Sequence, residues 1–275
     1  MFKKLPIPAK GAVIGAGGGI GRATALKLAE NGMDLVLGDR DVALAEKVRD
    51  EIGDKVSVIV TEIDVTDPES VRAFVDLCYD ELGQVDIAFN SAGIMYVGGY
   101  LEEPDDVVVR QVEINLLGVI HVTRAFTKVM KERNYGHLIT MASMGSILPD
   151  PGEATYAAAK HGVYGYLSSV REELRDTKVE ISGIIPAVVD TRLATGTSGG
   201  GTRILPPEEV ADAIIETIQR PVFIKSIPAW AVPLNRVVRA FPQKVYDLAM
   251  KLIVPDQSKV ADLEARKKYE EDELR

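Results

Sequence analysis

Ala12-Val13-Ile14-Gly15-Ala16-Gly17-Gly18-Gly19-Ile20-Gly21 places a short apolar strand directly before a run of glycines, and residues 19–30 then carry a helical pattern that ends at Asn31-Gly32. Glycines at a strand-to-helix turn let backbone N–H groups approach a pyrophosphate at the helix N-terminus, where dipole and unsatisfied amides favour an anion. Gly15, Gly19 and Gly21 fit one nucleotide-loop spacing, and Gly15, Gly18 and Gly21 fit another. A merely tight turn is the plain structural reading of the same residues.

The rest of the chain repeats this strand-then-helix alternation, which argues for a parallel sheet with helices on both faces and right-handed crossovers. Residues 34–37 read as the second strand, closed by Gly38-Asp39, and residues 42–52 as the second helix. Residues 56–61 form a β-branched strand, Asp67-Pro68 opens a helix to Leu82, and residues 85–89 make a fourth strand before the turn at 90–93. A long helix over about 104–133, a strand over 137–141, a helix over 155–175 and a strand over 179–185 follow. Residues 196–201 read as a flexible glycine loop, residues 206–219 as a helix and residues 222–227 as a seventh strand. Beyond Pro228 the prolines at 233, 242 and 255 break the chain into short helices.

Composition bounds the function. The 275 residues are 46% hydrophobic and can bury a sizeable core, while 32 Lys plus Arg against 41 Asp plus Glu give a net charge of -9. That charge opposes nucleic-acid phosphates as a partner. Cys78 is the single cysteine and the histidines are His121, His137 and His161, so neither a disulfide nor a zinc-type ligand cluster is expected and a reducing interior is. In MFKKLPIPAK two prolines and then glycines replace the apolar core of a secretion signal, so none is expected. Residues 87–101 are charge-free but too short and glycine-broken to span a membrane, so the protein is expected to be soluble and cytoplasmic, or at most peripheral to a membrane.

Asp39 lies 18 residues beyond Gly21 at the end of the second strand, where a carboxylate accepts both ribose hydroxyls of NAD and repels the 2′-phosphate of NADP. Arg40 is the counterweight, since a guanidinium there could pair with that phosphate. Tyr156 and Lys160 are four apart on a helix, hence on one face, and Tyr156 lies 13 residues after Ser143 at the carboxyl edge of the fifth strand. A phenol is a poor base near neutrality, but a lysine about 4 Å away at an effective dielectric near 20 favours phenolate by about 4 kcal/mol before desolvation subtracts some. Tyr156 could then exchange a proton with an alcohol or carbonyl oxygen while a nicotinamide exchanges hydride with its carbon, Ser143 hydrogen-bonding the same oxygen. Asn115, set among Ile114, Leu116 and Leu117, reads as buried and in need of partners.

Taken together these residues resemble the short-chain dehydrogenase/reductase family from about Ala12 to Thr191. Gly15, Gly19 and Gly21 match its glycine loop, which also contains Gly17, Gly18 and Ile20. Asp64-Val65 matches the segment whose aspartate holds the adenine amino group, and Asn90-Ser91-Ala92-Gly93 is similar to the Asn-Asn-Ala-Gly turn beside the cofactor. Asn115, Ser143, Tyr156 and Lys160 match the catalytic tetrad in order, Asn115 supporting a water relay from Lys160. Pro186 to Thr191 is similar to a segment in which Val189 and Thr191 contact the nicotinamide carboxamide. Ile14, Ser91, Ala142 and Ala187 depart from the family pattern without removing a proton carrier. The resemblance implies a single-domain Rossmann-like, doubly wound α/β sheet of about seven strands. Residues 1–227 would form the catalytic domain and residues 228–275 a C-terminal helical extension of it. It also implies a homo-oligomer, dimer or tetramer, joined through the helices at 104–133 and 155–175.

The activity implied is an NAD(H)-dependent alcohol dehydrogenase or ketoreductase without a metal. A dinucleotide-sensing protein without turnover and a carbohydrate epimerase or dehydratase of the extended branch are the alternatives, the latter opposed by how little chain follows Thr191. Residues 220–254 carry Arg220, Lys225, Arg236, Arg239, Lys244 and Lys251 against Asp247 alone. Val245, Leu248, Ala249, Leu252 and Ile253 recur there at helical spacing, a basic amphipathic helix. Such a helix packs on its own subunit or a neighbour, docks on a membrane surface, or covers the cleft beside residues 193–204 and selects a bulky apolar alcohol or ketone of steroid, retinoid or long-chain type.

Overall fold

A computed structural model describes residues 9–274, so most of the N-terminal segment weighed as a leader lies outside the described residues. Its strands are β1 (Lys10–Ile14), β2 (Asp34–Asp39), β3 (Val58–Glu62), β4 (Ile87–Asn90), β5 (Gly136–Met141), β6 (Val179–Pro186) and β7 (Ile224–Ile227). They form one sheet in the order β3-β2-β1-β4-β5-β6-β7, every pair parallel. The chain order reverses between β1 and β4, and the crevice beyond their carboxyl ends is where such sheets bind ligands.

The helices of the body are α1 (Gly19–Glu30), α2 (Val42–Ile52), α3 (Pro68–Leu82), α4 (Asp105–Val112), α5 (Gly118–Glu132), α6 (Ala154–Glu173) and α7 (Pro207–Gln219). Helix α3 starts where the Asp67 carboxylate accepts from the Glu69 amide and Pro68 occupies the first turn, where its missing N–H costs nothing. On one face of the sheet Phe74, Phe126, Val122, Val163 and Leu167 pack against Ala12, Ile14 and Leu138; on the other Leu28, Val48, Val210 and Ile214 pack against Val13, Leu35 and Phe89. Residues of β1 thus alternate between two cores, and each large side chain buried there contributes roughly 1.5–3 kcal/mol.

Three expectations change. The helix over 104–133 is α4 and α5 joined by a π turn, Glu113–Leu117, rather than one regular helix. Residues 196–201 are tied down rather than loose: the Asp262 amide donates to Gly196 O at 2.8 Å, and the Gln257 side chain both accepts from the Ser198 amide (2.9 Å) and donates to its carbonyl (2.8 Å). The tail forms α8 (Ala231–Arg239), α9 (Gln243–Ile253), α10 (Gln257–Val260) and α11 (Leu263–Glu273), with Pro233 inside the first turn of α8, a position a helix tolerates, instead of breaking it. In α9 Val245, Leu248 and Leu252 are exposed, so this apolar row does not pack on its own subunit; Met250 and Ile253 reach the cleft. Among the described residues no helix is long and apolar enough to cross a membrane.

Candidate active site

A cleft of about 670 Å³ opens over the carboxyl ends of the strands. Of the catalytic and cofactor-binding candidates, all line it except Gly21, Asn90 and Asn115.

At its floor Gly15 has φ +74, and a Cβ on Gly21 would lie 1.9 Å from Gly15 O, so the turn admits side chains at neither position. The Gly15 and Ala16 amides both donate to Gly38 O, at 2.9 and 3.1 Å, fixing the loop to β2. A Cβ on Gly17 would meet Leu44 at 2.4 Å, and one on Gly19 would meet Thr191 Cγ2 at 2.8 Å, so the groove between the β1 and β6 ends stays open because glycine lines it. That cradle, continued by first-turn amides of α1 that have no intrahelical acceptor, fits a pyrophosphate. The hydroxyl lacking at Ile14 is replaced by a backbone tie, the Ser91 amide donating to Ile14 O at 2.9 Å, while Asn90 Oδ1 holds the Ala92 amide at 3.1 Å.

Asp39 accepts from the Gly17 amide at 2.8 Å and from the Asp41 amide at 3.0 Å, and burial pushes its carboxyl above the usual range despite those bonds. Arg40, the counterweight in the sequence, is engaged elsewhere: its guanidinium pairs with Glu273 of α11 at 3.4 Å. Asp64 Oδ1 accepts from the Thr66 amide (2.9 Å) and hydroxyl (2.7 Å), and Val65 O meets His121 Nδ1 at 3.0 Å. The Pro186–Thr191 segment is anchored through Val189, which bridges to Leu205, and through the Asp190 amide, which donates to Leu205 O at 2.8 Å.

At the other end, Tyr156 and Lys160 project from the first turns of α6, and the Ser143 hydroxyl is near enough to the phenol to favour its ionised form. The Gly145 amide donates to Ser143 Oγ at 3.1 Å, which orients the hydroxyl into the cleft. Lys160 Nζ lies 5.5 Å from the Tyr156 ring centroid and donates to Met141 O at 3.2 Å. The expected lowering of the phenol by Lys160 is not found. Burial dominates both groups, holding the Tyr156 phenol above its ordinary value and pushing the Lys160 ammonium down to about 8.

The π turn widens the helix at Asn115 and aims its side chain at the segment after β4, where Nδ2 donates to Ile94 O (2.8 Å) and Oδ1 accepts from the Ile94 amide (3.2 Å). A Cβ on Gly93 would stand 2.8 Å from Asn115 Oδ1 and 3.6 Å from Lys160 Nζ, so glycine keeps these three groups together.

Four contributions were missed in the sequence. Glu153 and Asp150 line the cleft just before Tyr156, without side-chain hydrogen bonds or ion pairs among the described residues. Arg266, fully buried, donates from α11 to Met95 O (2.6 Å), Leu193 O (3.0 Å) and Thr195 O (2.8 Å), and the neighbouring Tyr269 hydroxyl accepts from the Met95 amide at 3.1 Å. Both rims of the cleft are thus held by one helix. A glutamate at the start of a helix gives no signal of burial, and nothing in the charged run of α11 singles out Arg266.

The sequence profile of the family described as short chain dehydrogenase matches residues 11–199. A probable oxidoreductase of Mycobacterium tuberculosis, EphD, is 32% identical over 259 residues, covering 86% of this chain and 44% of that protein, so the chain spans less than half the length of this relative. A short chain dehydrogenase/reductase from Burkholderia phymatum, solved in complex with NAD, superposes with a TM-score of 0.78 at 25% identity, covering 88% of this chain and 95% of the other. An alcohol dehydrogenase from the archaeon Thermococcus sibiricus, complexed with 5-hydroxy-NADP, gives 0.71 at 28% identity over 79% of this chain and 94% of the other.

Proposed function

Because the chain belongs to the short-chain dehydrogenase/reductase family, we propose that it is an NAD(H)-dependent oxidoreductase interconverting a secondary alcohol and a ketone on a bulky apolar frame. The observation that carries this reading is the convergence of Ser143, Tyr156 and Lys160 at one end of a cleft whose other end is a glycine cradle beside Asp39. The dinucleotide, when bound, supplies or takes up hydride at the substrate carbon. In the reducing direction Tyr156, held protonated by burial, gives its proton to the carbonyl oxygen, and Ser143 donates a hydrogen bond to the same oxygen. Lys160 then returns a proton toward the phenolate; in the oxidising direction the transfers reverse.

Asp39 supports NAD over NADP, and the ion pair of Arg40 with Glu273 removes the nearest guanidinium from a 2′-phosphate. Apolar side chains around the outer cleft, among them Leu148, Trp230 and Met250, support a large hydrophobic substrate. The same reading places the protein in the cytoplasm as a homo-oligomer, with the exposed face of α9 and its Lys244 and Lys251 as a peripheral contact with anionic membrane. Failure to co-sediment with anionic vesicles at low salt would remove that contact. The reaction is tested by NADH formation from a panel of secondary alcohols, run in parallel with NADP. Tight nucleotide binding without turnover across a broad panel would overturn it in favour of a sensor.

A further inference from the structure

Glu153 is the N-cap of α6, yet its side chain makes no capping bond, and at 8% exposure it lines the cleft without a hydrogen bond or ion pair among the described residues. Asp150 lines the same space three residues earlier, likewise unpartnered. The turn that carries both is fixed from two sides, Gly98 donating to Gly152 O and Gln257 to Pro151 O, each at 2.9 Å. A third acceptor comes from another element. Asn235 of α8, 7% exposed and lining the cleft, spends its Nδ2 on Ile147 O at 3.1 Å and leaves its buried Oδ1 without a donor.

Burying acceptors without donors is costly, and so is holding two carboxyls within reach of each other's charge. Among the described residues no side chain donates a hydrogen bond to either carboxyl. Arg266, the cation that acts on Glu153, is committed to three backbone carbonyls. Around the acceptors the walls are apolar, with Leu148, Leu234, Val238 and Ile253 prominent. A ligand hydroxyl brings one donor and no charge, whereas an alkylammonium brings three donors and the sign that is missing.

We propose, on the reading of this cleft as an oxidoreductase site, that the substrate's apolar frame carries a protonated amine and that Glu153, Asp150 and Asn235 receive it. The carboxyls are held at about 8 for Glu153 and about 7 for Asp150 by burial and, for Glu153, by the other carboxyl. The charged or titratable groups that act on them or feel them are Tyr156 on α6 and Arg266 on α11, and Tyr269 of α11 acts in turn on Tyr156. Arrival of a cation favours the ionised carboxyls, so amine binding near pH 7 releases protons.

Titration calorimetry of the full chain, with and without NAD, reads this directly. The probes are three secondary benzylic alcohols that differ in one para substituent: aminomethyl, ethyl or hydroxymethyl. The aminomethyl probe is expected to bind about tenfold more tightly than the ethyl probe, with proton release seen as a dependence of the heat on buffer ionisation. Glu153→Gln should erase most of that preference while NAD affinity holds. Amine binding with no turnover of any probe would leave this subsite standing and defeat the reaction instead. Equal binding of the aminomethyl and ethyl probes, a preference for the hydroxymethyl probe, or no measurable amine binding at millimolar concentration would each overturn the proposal. So would a preference that survives Glu153→Gln combined with Asp150→Asn.

Discussion

On the proposed reading Tyr156 is the proton carrier. Its phenol is buried and pushed above its ordinary value, so replacing it by Phe removes the transferable proton and little packing. Tyr156→Phe is expected to lower kcat about a hundredfold or more while the Kd for NAD changes less than about twofold, measured by single-turnover kinetics and by fluorescence titration. Near-parental turnover with chemistry rate-limiting would falsify the role. At the other end Asp39→Ala should weaken NAD and improve NADP, raising the NADP-to-NAD ratio of kcat/KM about tenfold or more; an unchanged ratio, or a parent that already prefers NADPH, would return the decision to Arg40. These residues were legible because strand ends, glycines and a four-residue helical spacing place them. Glu153 was not, because a glutamate at the start of a helix is ordinarily a solvated end, and its isolation depends on Asp150, α10 and α11 arriving from elsewhere.

Among the elements, β5 and β6 illustrate a pairing whose stability has a pH signature. Their register sets His137 opposite Glu180, and His137 Nε2 meets Ser182 Oγ at 2.8 Å. Ser182 spends its hydrogen on Val222 O at 2.6 Å, so it must accept from His137, and the imidazole is neutral with its hydrogen on Nε2. Burial pushes His137 down to about 4 from an ordinary 6.5. Between those values the unfolded chain binds the proton more readily, so stability is complete above about pH 6.5 and falls as pH drops toward 4, by about 3 kcal/mol. Denaturant unfolding from pH 7 to pH 4 should show this loss in the parent and a shallower one in His137→Gln; identical slopes would refute it. Strand and helix types were readable almost throughout, since parallel strands buried on both faces run apolar and helices recur between them. The π turn was not, because one extra residue per turn leaves the periodicity of residues 104–133 nearly unchanged, and the anchoring role of α11 within the helical extension was not, because a helix held by a guanidinium and a phenol has no apolar stripe to announce its contacts.

For the molecule as a whole, the sheet carries the nucleotide loop while α8–α11 complete the outer cleft. Truncation after Pro228 is therefore expected to leave the Kd for NAD within a few-fold and to cut kcat/KM for large apolar alcohols far more than for small ones. Equal loss on both in a folded protein would show that the extension does not shape the substrate site. Self-association is part of the proposed reading, and exposed Val109 and Leu117 support it. Light scattering is expected to give a dimer or tetramer at micromolar concentration, and a monomer there would count against it. The anchoring of Met95, Leu193 and Thr195 by Arg266 also imposes an order in time. Every strand leaves the ribosome before Arg266 does, and folding that begins on the nascent chain assembles the nucleotide-binding half first. On the proposed reading the chain then passes through an interval in which its glycine loop is formed while the outer cleft still lacks the helix that holds both rims.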